Sequence, residues 1–266
     1  MLLRAFRVLV LTALVVLTGV VAPSAQAQSR PAAAAATVPA DATVGPLFLF
    51  TTWLPHFCTA SVIASPGADL IITAAHCVAG TEAGIQFAPG YHDGATPFGV
   101  WTVRQAYVDP AWLSRQDPAH DYAILRVDHQ RWGGRWVGVQ DVVGANVLGL
   151  APRPGAVVAV AGYPFGLNDR PVSCSATATR TAGYPTVDCP GMAPGTSGGP
   201  WLLRTAFPHL TFTVGLIGGP HQGGCTDATS YSAPFTWDVY VLWLRAAFGA
   251  PSDIVPIPGG DGCSVS

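Results

Sequence analysis

The alternation of short apolar runs with turn residues limits this chain to a narrow set of folds. Downstream of Val44, apolar runs are separated at close intervals by Gly, Pro and Asp. The clearest runs read LFLFTTW, LIITAA, YAILRV, AVVAVAGYP and TFTVGLIG. Short apolar runs bounded by turn residues are typical of β-strands, and many of them in one chain are typical of sandwiches and barrels. We therefore predict an all-β fold.

One segment, residues 236–249, departs from this pattern. Its apolar positions recur at the spacing of a helix face, at Val239, Leu242, Trp243, Ala246 and Ala247. Gly249 supplies a stop signal, so the pattern predicts a single C-terminal α-helix. The turn-rich stretch after it carries Cys263, which we expect to tie this tail to the body of the protein through a disulfide bond.

The N-terminus has the pattern of a secretory signal peptide. Arg4 and Arg7 precede an apolar run over residues 8–22, and small residues suit cleavage after Ala27. An uncleaved membrane anchor is the alternative, but the run is shorter than the roughly 20 residues that a spanning helix needs. Residues 1–27 are therefore predicted to be a signal peptide, and the exported protein to be secreted and extracellular.

Residues 28–43 are rich in Ala and Pro and lack apolar periodicity, so we interpret them as a linker or short propeptide.

Length and charge limit the number of domains and the class of partner. The 266 residues suffice for one large β core or two small domains. Only 11% of the residues are charged and the net charge is -2, which leaves no basic surface to neutralise phosphates. Nucleic acid is therefore not expected as a partner.

The cysteines indicate an oxidising compartment. The chain has six, and in an exported protein six thiols predict three disulfide bonds. They are Cys58, Cys77, Cys174, Cys189, Cys225 and Cys263. A metal site is the alternative, but no CxxC or HxxxH spacing brings ligands together. We therefore predict no metal site.

A histidine with catalytic potential lies within residues 56–78, after a predicted hairpin of two strands. Cys58 and Cys77 stand on either side of this hairpin, and His76 directly precedes the second of them. A bridge between the two cysteines would hold the loop that bears His76, and a general base needs a fixed ring. The alternative is a surface or structural histidine.

A carboxylate stands at the start of a later strand. Asp121 directly precedes the alternating apolar run YAILRV. A carboxylate at the edge of a buried strand needs a hydrogen-bond partner, and an imidazole N–H would serve. Asp109 and Asp117 each precede proline in a turn-like context and Asp128 ends the strand, so they are weaker candidates; Asp121 as a simple turn cap is the alternative.

A serine lies within a run of turn residues, MAPGTSGGPW over residues 192–201. Ser197 follows Gly195 and Thr196 and precedes Gly198. Glycine accepts a positive φ, so such a turn can direct its backbone N–H groups toward one point. That arrangement would make an oxyanion hole, and a plain surface turn is the alternative.

Taken together, the three segments resemble a known family. TAAHC, DYAIL and GTSGGP occur in the order His, Asp, Ser and look like the signature segments of chymotrypsin-like serine peptidases. HFCTASVI similarly resembles the strand that precedes the histidine loop in that family. The resemblance spans residues 56–201. It implies two six-stranded antiparallel β-barrels, over residues 44–150 and 151–266, with the active site between them.

The resemblance also implies roles for these residues. Ser197 would be the nucleophile, His76 the general base and then acid, and Asp121 the group that orients the imidazole. The N–H groups of Gly195 and Ser197 would form the oxyanion hole. The implied protein is a secreted serine endopeptidase, a monomer without a metal or organic cofactor, acting on proteins or peptides and free of the membrane once the signal peptide is removed.

Two other functions fit parts of the pattern. An inactive or latent relative could use the same fold to bind partners, although the complete set of His, Asp and Ser argues against it. An esterase could use the same acyl-transfer centre. The lipase-type elbow GxSxG, however, belongs between a strand and a helix, and here the surrounding pattern is all-β.

The sequence departs from the family pattern at Thr196, where the commonest motif has Asp. In animal digestive members, that Asp pairs with a new N-terminal amine, which threonine cannot do. We therefore expect the loop before Ser197 to form without this ion pair. The segment VAVAGYPFG, residues 158–166, resembles the bacterial branch that includes the glutamyl endopeptidases. The histidine expected after the TVG strand is absent, so acidic specificity is not implied.

The substrate pocket is predicted from segments near Ser197. Gly191 and Met192 would be wall residues, although Met192 could equally be core filler. Gly218, Gly219 and Pro220 resemble the segment that pairs with the substrate backbone. Because CPGMAPG before the serine has no carboxylate, we predict an uncharged, apolar pocket.

The resemblance also bears on the disulfide pairing. We pair Cys58 with Cys77. Residues 174–189 form a predicted hairpin with Gly and Pro near its tip, which favours Cys174 with Cys189 and leaves Cys225 with Cys263. Cys189 with Cys225 is the main alternative, because a bridge beside the serine loop also occurs in the family.

Overall fold

The computed structural model describes residues 33–80, 83–207 and 210–263. The predicted signal peptide, residues 1–27, lies outside the described residues. Strands dominate the described part of the chain: β1 (Ala36–Thr37), β2 (Val44–Leu49), β3 (Cys58–Val62), β4 (Leu70–Thr73), β5 (Ile85–Phe87), β6 (Trp101–Val108), β7 (Ala123–Val127), β8 (Gln130–Trp132), β9 (Arg135–Val137), β10 (Val147–Leu148), β11 (Val157–Gly162), β12 (Val172–Thr177), β13 (Thr179–Thr181), β14 (Tyr184–Asp188), β15 (Pro200–Arg204), β16 (Thr211–Leu216) and β17 (Thr229–Tyr231). The α-helices are α1 (Pro110–Arg115), α2 (Val139–Val143) and α3 (Trp237–Ala247), and 3-10 turns occupy Ala75–Cys77, Pro118–His120 and Pro220–Gly223.

The first half of the chain closes into a six-stranded barrel. Its strands are hydrogen-bonded in the order β2-β3-β4-β7-β6-β5, each antiparallel to its neighbours. β4 reads LIIT and is buried along its whole length, and burying each Leu or Ile is worth about 1.5–3 kcal/mol. In β4, Thr73 pairs with Ala123 at the start of β7. The end of β4 and the start of β7 therefore lie together at one edge of the barrel.

The second half of the chain builds two sheets. One has six strands in the order β1-β12-β11-β15-β16-β10, and the other has three, β13-β14-β17. All neighbours are antiparallel except β10, which runs parallel to β16. A second apolar core includes Val160, Val187 and Trp201 from these strands. The all-β fold is confirmed, with the first predicted barrel closed and the strands of the second half in these two sheets.

The segment interpreted as a linker or propeptide is structured over its later residues. β1 pairs with β12, so that Ala36 lies opposite Ser173. The N–H of Ala35 donates to the carbonyl of Pro190, 2.6 Å away. Composition alone missed this strand because two residues carry no periodicity, and their pairing partner lies far along the chain.

The C-terminal helix is confirmed as α3. Thr236 caps it by accepting a hydrogen bond from the N–H of Asp238, as a threonine at this position commonly does. Val239, Leu242 and Ala246 are buried against the first barrel. None of the helices in the described part of the chain is long and apolar enough to cross a membrane.

Three disulfide bonds stabilise the described chain. They join Cys58 with Cys77, Cys174 with Cys189, and Cys225 with Cys263. These are the favoured pairs of the sequence analysis, and the alternative bridge from Cys189 to Cys225 is not formed. The first bridge connects β3 to the 3-10 turn that carries His76, as the position of the two cysteines around the hairpin suggested.

Candidate active site

His76 and Asp121 meet at the edge of the first barrel. His76 lies in the 3-10 turn after β4, and Asp121 directly follows the turn Pro118–His120 before β7. The Nδ1 atom of His76 lies 2.7 Å from Oδ2 of Asp121, and the backbone N–H of His76 donates to Oδ1 over 2.9 Å. The pairing of β4 with β7 brings these turns together, so the contact follows from the register of the barrel.

Asp121 is completely buried and is satisfied by hydrogen bonds. Besides its two contacts with His76, its Oδ2 atom accepts a hydrogen bond from the N–H of Gly219 over 2.8 Å. A buried carboxylate without partners would be expensive, and charge-assisted hydrogen bonds offset this cost. The carboxylate is thereby held in one orientation relative to the imidazole.

The loop that carries Ser197 requires glycine at two positions. Gly195 has φ 97° and Gly198 has φ 78°, both in the region that favours glycine. A Cβ atom at Gly195 would overlap the backbone N of Phe165. A Cβ atom at Gly198 would overlap Oγ1 of Thr73, at the end of the strand that leads to His76. The missing side chains thus let the serine loop approach the histidine loop.

Two backbone N–H groups beside Ser197 are left available. The N–H groups of Thr196, Gly198 and Gly199 all donate to backbone carbonyls. Those of Gly195 and Ser197 have no acceptor among the residues that the structure describes. These are the two donors predicted to form the oxyanion hole. An unpaired pair of donors at one turn suits an anion that develops on a substrate.

The two reactive atoms of the predicted triad are also unpaired. Neither Oγ of Ser197 nor Nε2 of His76 has a hydrogen-bond partner within the described ranges. In structures without substrate, catalytic hydrogen bonds are often long and tighten only in the complex. With Nδ1 occupied by Asp121, Nε2 is the ring nitrogen of His76 that can exchange a proton.

Thr59, on β3, organises the serine loop and was not identified from the sequence. Its backbone N–H donates to the carbonyl of Ser197 over 2.8 Å. Its hydroxyl donates to the carbonyl of Gly195 over 3.1 Å and accepts from the N–H of Tyr163 over 2.9 Å. The residue is fully buried. A hydroxyl that bridges two loops in the interior fixes the path of the backbone that carries the free donors.

Thr196 stabilises the same loop without an ion pair. Its hydroxyl donates to the carbonyl of Ala193 over 2.8 Å, and the side chain is almost entirely buried. A Cβ atom at Gly162 would lie 2.7 Å from Cβ of Thr196, so the threonine packs directly on the glycine of β11. The loop thus closes on itself with a neutral residue where the common motif has a carboxylate.

A cavity of about 230 Å³ opens beside Ser197. Met192, which also packs in the second apolar core, lines it together with Ile217. Asp227 and Asp261 also line it, so the prediction of an uncharged pocket was wrong about the lining. That prediction considered only the segment before the serine, whereas the chain returns to the cavity after β16 and again near its C-terminal end.

Four of the five predicted substrate-binding residues do not line this cavity. Gly191 instead packs against Ala35, since a Cβ atom built on Gly191 would lie 3.2 Å from Cβ of Ala35. The other three, Gly218, Gly219 and Pro220, lie next to Asp121 or lead into the following turn. The next stretch, residues 221–225, lines the cavity in their place.

A second histidine–carboxylate pair lies outside the predicted triad, with a buried histidine and a partly exposed carboxylate. Nε2 of His56 is 2.9 Å from Oδ1 of Asp169, and the His56 side chain is completely buried. The rings of Phe48, Tyr91 and Tyr163 meet the imidazole edge-on. Burial raises the pKa of the Tyr163 phenol, so this group stays protonated and donates to the carbonyl of Tyr91 over 2.6 Å.

Two groups of histidine and cysteine side chains lie close enough to resemble metal sites. His76 is near Cys58 and Cys77, and His221 is near Cys225 and Cys263. In both groups the cysteines form a disulfide bond with each other. Metal binding needs the thiolate, which a disulfide does not supply.

One family model matches more than half of the chain. The family model described as a trypsin-like peptidase domain matches residues 58–206. No curated protein matches the sequence significantly.

Solved structures of proteases share the fold. The protease Anisep from Arthrobacter nicotinovorans is 23% identical, with a TM-score of 0.65 over 80% of this chain and 99% of its own. A thermostable serine protease, AL20, from an extremophilic microorganism is 26% identical, with a TM-score of 0.61 over 79% and 98% of the two chains. A Glu endopeptidase is 16% identical, with a TM-score of 0.59 over 80% and 97%. The chymotrypsin-like fold is therefore confirmed.

Proposed function

This chain belongs to the trypsin-like peptidase family, and from that premise we propose that it is a secreted serine endopeptidase that works through an acyl-enzyme intermediate. Its fold is that of proteases, whose substrates are proteins or peptides. The observation that carries the proposal is the contact of 2.7 Å between His76 and a buried Asp121, at the turn approached by the loop of Ser197.

Acylation uses the groups described above. As Oγ of Ser197 attacks the carbonyl carbon of the scissile bond, Nε2 of His76 takes the hydroxyl proton. Asp121 holds the ring by its Nδ1 atom and stabilises the resulting imidazolium. The carbonyl oxygen becomes an oxyanion and accepts hydrogen bonds from the N–H groups of Gly195 and Ser197, each worth on the order of 3 kcal/mol in the transition state.

The intermediate then collapses and is hydrolysed. His76 returns its proton to the leaving amine, the C–N bond breaks, and the acyl group stays on Ser197. Water attacks the ester with His76 again as base, and the acid product leaves as Ser197 recovers its proton. Every proton in this cycle passes through Nε2 of His76, so no metal or organic cofactor is required.

The proposed location and partners of the enzyme follow from its disulfide bonds and its net charge. Three disulfide bonds are typical of proteins in oxidising compartments, which supports secretion after removal of residues 1–27. The net charge of -2 offers no attraction for nucleic acid. We place the domain boundary after residue 150, so that the N-terminal domain comprises residues 44–150 and the C-terminal domain residues 151–266. We propose that the protein acts as a monomer.

A fluorophosphonate probe tests the proposal directly. The probe reacts with an activated serine, so the wild-type protein should be labelled and Ser197→Ala should not. Ser114→Ala, which removes a serine from α1, is the matched control and should be labelled normally. A folded wild-type protein that resists labelling would contradict the proposal and favour a latent or purely binding relative. Cleavage of esters without cleavage of a peptide library would instead point to an esterase.

A further inference from the structure

The segment 256–263, here called the strap, crosses from the first barrel to the cavity beside Ser197. It begins after Val255, which forms a bridge with Gly80 of the barrel side. It ends at Cys263, which is bonded to Cys225 in the cavity lining. Both ends of the strap are therefore anchored, and the residues between them are fixed by side chains.

Glutamine side chains hold the strap on two sides. At the end of α1, the amide of Gln116 donates to the carbonyl of Ile257 and accepts from the N–H of Gly259, each over 2.7 Å. From the turn after Pro220, the amide of Gln222 donates to the carbonyl of Gly259 over 2.8 Å. The strap thus spans the space between α1 and this turn.

The cavity end of the strap is part of the substrate pocket. Asp261 and Cys263 line the same cavity as Ser197. In the same turn, Nδ1 of His221 lies 2.9 Å from the carbonyl of Asp261 and holds that end in place. One wall of the cavity is therefore formed by the strap, with the serine loop forming another.

The segment Gly218 to Pro220 offers no N–H donor to an extended substrate. A bound peptide commonly gains affinity from main-chain hydrogen bonds to an exposed edge. The N–H of Gly218 already donates to the carbonyl of Tyr231, and that of Gly219 to Asp121. Pro220 has no N–H. The segment that was expected to pair with the substrate backbone therefore has no N–H available for a substrate carbonyl.

The direction of the substrate follows from the chemistry. The leaving amine must lie beside His76, which protonates it, and the acyl carbon must lie at Ser197. The substrate residues that precede the scissile bond therefore extend away from His76 and across the cavity. That cavity is lined by the turn 221–225 and by Asp261 and Cys263 of the strap, together with the serine loop.

We propose that the strap occupies the place where residues upstream of the scissile bond would bind, so that the enzyme selects substrates through the single side chain that enters the cavity. This inference rests on the proposed peptidase function and adds its substrate requirement. Residues further upstream then contribute little to transition-state binding, and releasing the strap exposes a new subsite.

Substrate-length kinetics test the proposal. The substrates are an N-acyl amino acid anilide and the same anilide extended by three residues upstream, with active enzyme counted by fluorophosphonate titration. For the wild-type protein, kcat/KM should differ by less than about threefold between the two. A variant that ends at Val255 and carries Cys225→Ser lacks the strap but retains the anchor, and extension should raise its kcat/KM at least about tenfold.

Milder variants guard against loss of folding in the shortened protein. Gln116→Ala and Gln222→Ala loosen the strap but keep its disulfide bond, and each should raise the length preference by a few fold. Gln130→Ala is the matched control, because this glutamine donates to the carbonyl of Val100 and not to the strap. A wild-type preference of tenfold or more for the longer substrate, or an unchanged preference in all strap variants, would overturn the inference. Absence of any labelled serine would overturn the proposed function as well.

Discussion

Two histidine–aspartate pairs in the described part of the chain have a buried imidazole, and we propose a catalytic role for only one of them. His76 contacts a completely buried Asp121 through Nδ1, which leaves Nε2 without a partner among the described residues. His56 contacts Asp169 through Nε2, and its Nδ1 is buried without a hydrogen-bond partner among the described residues. The distances, 2.7 and 2.9 Å, are nearly the same.

The difference lies in the surroundings of the second ring nitrogen. At His76 that nitrogen has no partner among the described residues, and the strand end before this turn is contacted by the serine loop, where Gly198 packs against Thr73. At His56 three aromatic rings enclose the imidazole, so no substrate can reach it. A short contact between histidine and aspartate therefore identifies a fixed imidazole, and the access to its other nitrogen decides whether it can act as a base.

Replacing each histidine in turn should give the largest difference in activity between the two pairs. We expect His76→Ala to lower kcat by about 10⁵-fold, because the proton acceptor for Ser197 is lost. His56→Ala should change kcat by less than about tenfold per folded molecule. Hydrolysis rates normalised to the folded fraction provide the measurement, and similar losses for the two variants would show that the pairs are not functionally distinct.

The carboxylates should differ by a slightly smaller factor. Asp121→Asn keeps the shape of the side chain but removes the charge that orients and stabilises the imidazolium, so we expect kcat to fall by about 10⁴-fold. Asp169→Asn should leave kcat within a few fold of the wild type. The measurement is steady-state kinetics on one peptide substrate, with circular dichroism to confirm folding. A mild effect of Asp121→Asn would contradict its assigned role.

The free energy of unfolding should depend more on the pair of His56 than on the pair of His76. His56→Ala empties a site between Phe48, Tyr91 and Tyr163 and leaves Asp169 without its partner, so we expect about 3 kcal/mol less stability. Urea denaturation gives this value, with His129→Ala as a control outside both pairs. A stability loss below about 1 kcal/mol would mean that the second pair does not hold its loops.

The smallest effect concerns Thr59, which joins the two regions. Its hydroxyl links Tyr163, one of the rings around His56, to Gly195. Thr59→Val keeps the shape but leaves both partners unpaired, so we expect kcat to fall about tenfold with KM nearly unchanged. Thr213→Val is the matched control, since Oγ1 of Thr213 is buried with no partner in the described chain and its loss should be harmless. Equal kinetics for the two variants would show that the regions are independent.

Sequence patterns predicted the parts of the molecule that depend on local spacing. The apolar runs predicted an all-β fold, and the helical spacing over residues 236–249 predicted α3 to within a few residues. The three motifs also identified the histidine and aspartate segments, which meet at the edge of the first barrel, and the serine loop that packs against that edge. Each of these signals is contained within about ten neighbouring residues.

The remaining features depend on contacts between distant positions. His56 and Asp169 are separated by 113 residues, and no sequence pattern links them. The carboxylates of the cavity lining, Asp227 and Asp261, belong to turns that follow the serine by many residues. Thr59 resembles any other polar residue of a strand until its two backbone partners are known. Such contacts arise from strand register and loop path, which no local period encodes.

The bond between Cys58 and Cys77 makes the geometry of the proposed active site depend on the redox conditions around the protein. It joins the strand of Thr59, which holds the serine loop, to the turn of His76. In a reducing medium this covalent tie is absent, and the base and the nucleophile are aligned only by non-covalent packing. We expect reduction of this bond to loosen the alignment of the proposed triad, so that the redox potential around the chain acts on turnover as well as on stability.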